Sequence, residues 1–433
     1  MLLIFLKKET NRTKYIFNLI FRQLIGIDYT TTQDVDFFNL YQDPKINYSD
    51  HQFENEIFFS ASNLLFEPGI KDQEYEIGNY NGISTIFSQN KKAEMPFDPF
   101  AASFFLVTRY EEYLPFIKDI YGRFSADQSI AFKEGFLRKP MINIWAGNIA
   151  EILQNKYPKI TFPKKTYKFI STIDIDNAFA YKYKGMVRNI GGFLKSFRDL
   201  QFGEVVERAK VLLRVQKDPF DTYEFQMEIQ KKYNIKPIYF FLFADYGLND
   251  KNIHVENRNY HALIKSIGDY SEVGIHPSWG SNQSTEKLRN EIRNLSKVLN
   301  REIEKSRQHF LKLSLPNTYR NLLAEDIRED YTMGYASEIG FRASICSPFF
   351  FYDLDREKET KLKVFPFAVM DGTLKDYQNL SSFEAVSYIK PLIEEVKAVN
   401  GTFITLWHNE SLCNVKRWTG WAKVYEEMVS IAV

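Results

Sequence analysis

The sequence predicts an α/β chain: a parallel sheet, open or closed into a barrel, over residues 166–433, preceded by an α+β module over residues 1–160. Three observations lead there. β-rich apolar runs alternate with helical stretches for roughly 270 residues after position 166, and strands separated by helices pair in parallel. A Pro- and Lys-rich stretch, Lys156-Tyr-Pro-Lys-Ile-Thr-Phe-Pro-Lys-Lys165, favours extended backbone and few crossing contacts, as a boundary does. At 433 residues the chain also exceeds one ordinary domain.

Before the boundary, Met1-Leu-Leu-Ile-Phe-Leu6 reads as a first strand, since its lysines follow the apolar run and reverse the order of a signal peptide. Helices are expected over residues 11–24 and 142–156. After the boundary, strands are expected over residues 167–173, 237–243, 272–275, 308–313, 340–346 and 402–407. Helices are expected over 222–232, 285–304, 319–324 and 383–399. In either sheet architecture, chemistry gathers at the carboxyl ends of the strands.

Composition narrows the function. Lys and Arg number 56 against 55 Asp and Glu, so the whole chain offers no electrostatic footprint for nucleic acid or an anionic membrane. No apolar run approaches the 18 or so residues of a membrane span. Two cysteines, Cys346 and Cys413, build neither a disulfide framework nor a Cys-x-x-Cys site, and a cytoplasmic location is expected. With only six histidines, the position of each is informative.

Three strand ends carry polar residues that packing does not readily explain. In Ser171-Thr-Ile-Asp-Ile-Asp-Asn177, Asp174 and Asp176 are two apart and share a face of an extended strand. Their mutual repulsion calls for a cation. His276 follows the run at 272–275, and His408 ends the run at 402–407. Arg307 and His309 form a further period-two pair. His254 and His261 lie in a polar connection. His51 lies in the first module, which shows no recognisable site.

The order of these motifs resembles the polysaccharide deacetylase superfamily, the NodB-homology domain of carbohydrate esterase family four. The resemblance runs from about 166 to 433 and is carried by Arg307-Gln-His-Phe310, Asp330-Tyr-Thr-Met-Gly-Tyr335, Gly340-Phe-Arg-Ala343 and Trp407-His-Asn-Glu410. It is nearest a divergent branch with an uncharacterised N-terminal module. It implies a distorted (β/α)7 barrel and a metal-dependent hydrolase that removes an N-acyl group from a sugar or glycan. Asp174 matches the family's base, Asp176 and His276 its metal ligands, Arg307 the arginine that orients the base, and His408 the general acid. The family's second histidine, four residues after His276, is replaced by Gly280, which cannot be a ligand. His309 is expected to take its place.

One carboxylate, two imidazoles and an open position suit Zn²⁺, with Co²⁺, Ni²⁺ or Mn²⁺ as alternatives. Trp279 and Trp407 are candidate faces for a sugar ring, and Asp330 and Arg342, polar groups inside apolar blocks, are candidate substrate contacts. Two other readings compete: a glycosyltransferase using Asp174-Ile-Asp176 to hold metal and nucleotide sugar, and a degenerate barrel that binds glycans without cleaving them.

Overall fold

The computed structural model describes residues 1–89 and 92–433. Its first sheet comprises β1 (Leu2–Leu6), β2 (Tyr29–Thr32), β3 (Lys45–Ser49) and β4 (Ile57–Ser60), in the order β2-β1-β3-β4. All three pairings are parallel, so the expected α+β module is built on a parallel sheet. β1 is buried along its whole length because both faces are covered, as parallel sheets require. A short antiparallel hairpin, β5 (Gly78–Tyr80) and β6 (Ile83–Thr85), stands apart from it.

The second sheet holds β7 (Lys168–Ile175), β8 (Ile238–Phe241), β9 (Glu272–Ile275), β10 (Lys305–Ser306), β11 (Glu329–Asp330), β12 (Phe349–Asp353), β13 (Lys358–Val364), β14 (Val369–Met370) and β15 (Thr402–His408). Its order is β12-β13-β11-β10-β9-β8-β7-β15-β14, parallel except for the β12–β13 pair. The ladder is open, which does not confirm the barrel implied by the resemblance. Between its ends, the stretch from Phe365 to Ala368 donates backbone N–H groups first to Asp330 O on β11 and then to Ile404 O on β15, at 2.8 and 2.9 Å.

Two expected strands are absent for identifiable reasons. Only Lys305–Ser306 pairs at β10, because Phe310 and Leu311 adopt left-handed φ values of 59° and 53° that end extension. Residues 340–346 form an irregular span. Gly340 has φ 129°, and a Cβ there would lie 2.4 Å from Leu137 O. The backbone is instead bonded to the first module, through Phe341 N–H to Leu137 O and Ile142 N–H to Ser344 O. The expected helix over 285–304 stops at Leu299, where Asn300 takes the left-handed cap position.

The two halves share one apolar core. Tyr15 and Phe104 pack on Tyr352 with ring centroids 4.9 and 5.3 Å apart. A buried ionic triad fastens them. Glu112 accepts from Arg109 Nε at 2.7 Å and from Arg342 Nε and Nη2 at 2.9 and 2.7 Å, with Arg109 completely buried and Arg342 1% exposed. Arg109 has a second carboxylate, Glu111 Oε1 at 2.7 Å from its Nη2, but among the described residues Arg342 pairs with no other acid, so removing the charge of Glu112 leaves a buried guanidinium unpaired. Glu112→Gln is expected to destabilise the fold by about 3–5 kcal/mol. Chemical denaturation of the variant against wild type measures it.

Candidate metal and acid–base site

The site forms where the carboxyl ends of β7, β9, β10, β14 and β15 converge. Asp174 lies in β7, opposite His408 in the ladder and beside Phe240 of β8. Past the formal strand ends the backbone keeps its register: His276 N–H donates to Phe241 O, Arg307 N–H to Ile275 O and His309 N–H to Pro277 O, at 2.9, 3.1 and 3.1 Å. These bonds fix where each side chain starts.

Asp176, His276 and His309 each present one ligand atom, and the three atoms lie within 4.8 Å of one another. Asp176 Oδ1 is 3.2 Å from His276 Nε2, and Oδ2 is 3.5 Å from His309 Nε2. The far ring nitrogens are engaged elsewhere. His276 Nδ1 meets Arg307 O at 2.5 Å, and His309 Nδ1 meets Asp250 Oδ1 at 2.9 Å. Both Nε2 atoms therefore face the shared space, the arrangement by which outer carbonyls and carboxylates orient imidazole ligands. Asp176 Oδ1 is buried with no hydrogen-bond partner. A buried acceptor of this kind carries a desolvation cost unless a cation or donor meets it. The residues present thus fit a divalent metal.

Behind this group, Arg307 Nη1 donates to Asp174 Oδ1 at 2.9 Å, while Arg307 itself is buried against Phe240, 4.7 Å from the ring centre. Asp174 Oδ2 lies 3.8 Å from His276 Nε2. Across the cavity, His408 Nδ1 meets Asp371 Oδ1 at 2.8 Å, and the His408 backbone N–H donates to Asp371 Oδ2 at 2.8 Å. Its Nε2 lies 3.8 Å from Asp176 Oδ2.

Electrostatics follow from this crowding. Burial alone would raise Asp176, but His309 and His276 outweigh it and hold the carboxyl well below its ordinary value. Burial would lower His309, yet Asp176 and Asp250 push it up to about 9. His408 is likewise desolvated, and Asp371, Asp176 and Asp174 together raise it well above the usual imidazole value.

The cavity is about 280 Å³, and Asp174, Asp176, His276, His309, Asp371 and His408 all line it. Arg307 stands behind Asp174. Trp279 sits outside, edge-on to Phe310 at 5.4 Å, its backbone N–H donating to Asp250 at 3.0 Å. Trp407 is fully buried, 5.1 Å from the Tyr425 ring, and does not reach the cavity. Asp330 is buried and accepts from Ser306 Oγ and the Thr332 backbone N–H, at 2.8 and 2.9 Å. Arg342 is held by Glu112. Gly280 faces Lys287, 3.4 Å from where a Cβ would stand.

Sequence reasoning missed four contributors. Asp250 and Asp371 orient the two histidines, but their partners come from other strands, so no local pattern marks them. Asp371, just past the apolar run 365–370, did carry the strand-end signal used for Asp174. Arg123 and Tyr121 come from the first module, where no site was recognised. Arg123 lines the cavity and donates to Phe310 O at 2.9 Å, and Tyr121 stacks on Phe310 at 5.3 Å. Together they brace the left-handed turn that follows His309. A second cavity of about 540 Å³ adjoins the first and shares Arg123, Leu311, Ala336 and Tyr377 with it.

Residues 2–158 match the model of a family of unknown function, DUF7033. No curated protein matches the chain. Among solved structures, a putative polysaccharide deacetylase from Mycobacterium smegmatis is 14% identical with a TM-score of 0.41, the match covering 63% of this chain and 85% of that one. Puue allantoinase is 12% identical with a TM-score of 0.40, covering 62% and 87%. A probable polysaccharide deacetylase from Pseudomonas aeruginosa PAO1 is 13% identical with a TM-score of 0.35, covering 48% and 64%. Likeness at this level leaves the functional reading to the geometry of the site.

Proposed function

We propose that the chain is a metal-dependent hydrolase that removes an N-acyl group from an amino sugar in a polysaccharide or glycan precursor. One observation carries the reading: a metal-competent Asp176, His276 and His309 set lies between an arginine-paired carboxylate, Asp174, and an aspartate-paired imidazole, His408. A divalent cation at this set, with Zn²⁺ best suited to the donors, supplies Lewis acidity toward the acyl carbonyl and toward a water.

The chain's own residues divide the proton work. Asp174, held in place by Arg307, receives the water's proton. His408, kept protonated by Asp371, delivers a proton to the departing amine nitrogen. Acid and base are then two separate groups on the wall of one cavity, His408 and Asp174. The open cavity, with Trp418, Tyr377 and Phe310 in its wall, suits a sugar ring. Acetate release from N-acetylated glycans, read beside the metal content of the protein, tests the reading. Metal-replete protein that releases no acyl group from any such glycan overturns it.

Asp174→Asn should abolish turnover with metal retained, whereas His276→Ala should lose both. His408→Ala should lower kcat by roughly 10²–10⁴-fold. Since His408 acts as an acid, activity falls as pH rises through its pKa. Asp371→Asn removes the foremost charge that raises that pKa and should move the alkaline limb of the pH–rate profile to lower pH. Asp250→Asn should weaken metal binding roughly 10–100-fold by calorimetry. Metal and proton compete for His309 Nε2, which is protonated at pH 7 because its pKa is about 9. Zn²⁺ affinity should therefore rise between pH 7 and about 9, and binding near neutrality should release roughly one proton from His309. Calorimetry in buffers of different ionisation enthalpy counts it.

A further inference from the structure

Between β7 and β8 the chain forms a helical hairpin, Met186–Arg198 and Phe202–Leu212. A surface helix normally turns its apolar stripe to the core. Here the only buried residues are Ser196 in the first helix and Val211 in the second. Met186, Val187, Leu194, Phe197, Leu200 and Leu213 are 79, 85, 68, 63, 73 and 75% exposed. Positions 186, 187, 190, 194 and 197 fall within about 100° of one another at 3.6 residues per turn, so they form one face. Phe197 meets Phe202 edge-on at 5.6 Å, joining that face to the second helix across the turn.

The hairpin and its flanks are basic: residues 182–218 carry nine Lys and Arg against four Asp and Glu, and residues 186–212 five against three, although the whole chain has 56 against 55. An outward apolar face flanked by cations, on helices of low overall hydrophobicity, is the design of an element that lies in a membrane interface. Its base is fixed beside segments that line the cavity. Asp218 accepts the backbone N–H groups of Ala180, Tyr181 and Lys182 at 2.7, 2.8 and 2.9 Å. On one flank Lys416 pairs with Glu204 and Glu207 at 2.7 and 3.2 Å, close to the cavity residues Arg417 and Trp418. On the other, Arg188 donates to Asn252 O at 2.7 Å in the loop that holds Asp250 and exposes Leu248 to 88%.

We infer that this hairpin docks the chain on an anionic lipid surface, its apolar face in the headgroup region and its cations against lipid phosphates. Docking brings the cavity mouth close to that surface. The inference is independent of the hydrolase reading, because binding is measured without turnover. Full-length protein should co-sediment with phosphatidylcholine vesicles containing phosphatidylglycerol, less so as salt is added, and not with phosphatidylcholine alone. Leu194→Glu combined with Phe197→Glu should lower binding at least about ten-fold. Lys195→Gln combined with Arg198→Gln should cost about five-fold per charge. Circular dichroism and Tm should stay unchanged, since these side chains are exposed. Wild-type protein that ignores anionic vesicles, or binds neutral ones equally, overturns the inference. So does a dimer in sedimentation velocity that the Glu pair dissociates while vesicles bind nothing, which would assign the face to a second copy.

Discussion

Two carboxylates on one face of one strand are the constraint around which this end of the sheet is arranged. Asp174 is buried and Asp176 half-buried, so their like charges repel with less screening than in bulk water. The fold answers each differently. Asp174 receives a guanidinium from behind, while Asp176 receives imidazoles from β9, β10 and β15 and keeps one buried oxygen without a donor. Those histidines are in turn anchored by Arg307 O, Asp250 and Asp371. The chemistry assigned to the site is thus a consequence of how the charge of β7 is compensated.

The first module is part of this arrangement. Its triad of Arg109, Glu112 and Arg342 places an arginine of the second half inside a joint, and the irregular 340–346 segment follows from that joint. A second contact reaches the cavity, where Arg123 and Tyr121 hold Phe310 in a conformation that costs a non-glycine residue on the order of 1–3 kcal/mol. That turn follows His309 directly. The module therefore supports a metal-ligand candidate rather than standing beside it.

Charge distribution also changes meaning with structure. A net charge of +1 argues against an extended polyanion partner, yet a positive excess is gathered in the helical hairpin and its flanks. Averaging over the chain conceals it, because the remainder is net acidic. Its helices escape notice in the sequence for a related reason. Their apolar stripe looks like that of any core-packed helix, and only the absence of neighbours distinguishes it.

By itself the sequence determined the alternation of strands and helices, the positions of β7, β8, β9 and β15 but not of β12 and β13, and the six polar residues singled out near strand ends. These are properties of short-range period: alternation puts Asp174 and Asp176 on one face and, read one step further, sends Trp407 away from the side His408 occupies. Only the tertiary structure decided that Asp250 and Asp371 orient His309 and His408, that Arg342 is bonded to Glu112 and Asp330 to Ser306, and that the ladder remains open. It also decided that the hairpin's apolar face meets no core. Such outcomes depend on which segments, tens to hundreds of residues apart, come to lie within hydrogen-bond or van der Waals reach. No local periodicity encodes that.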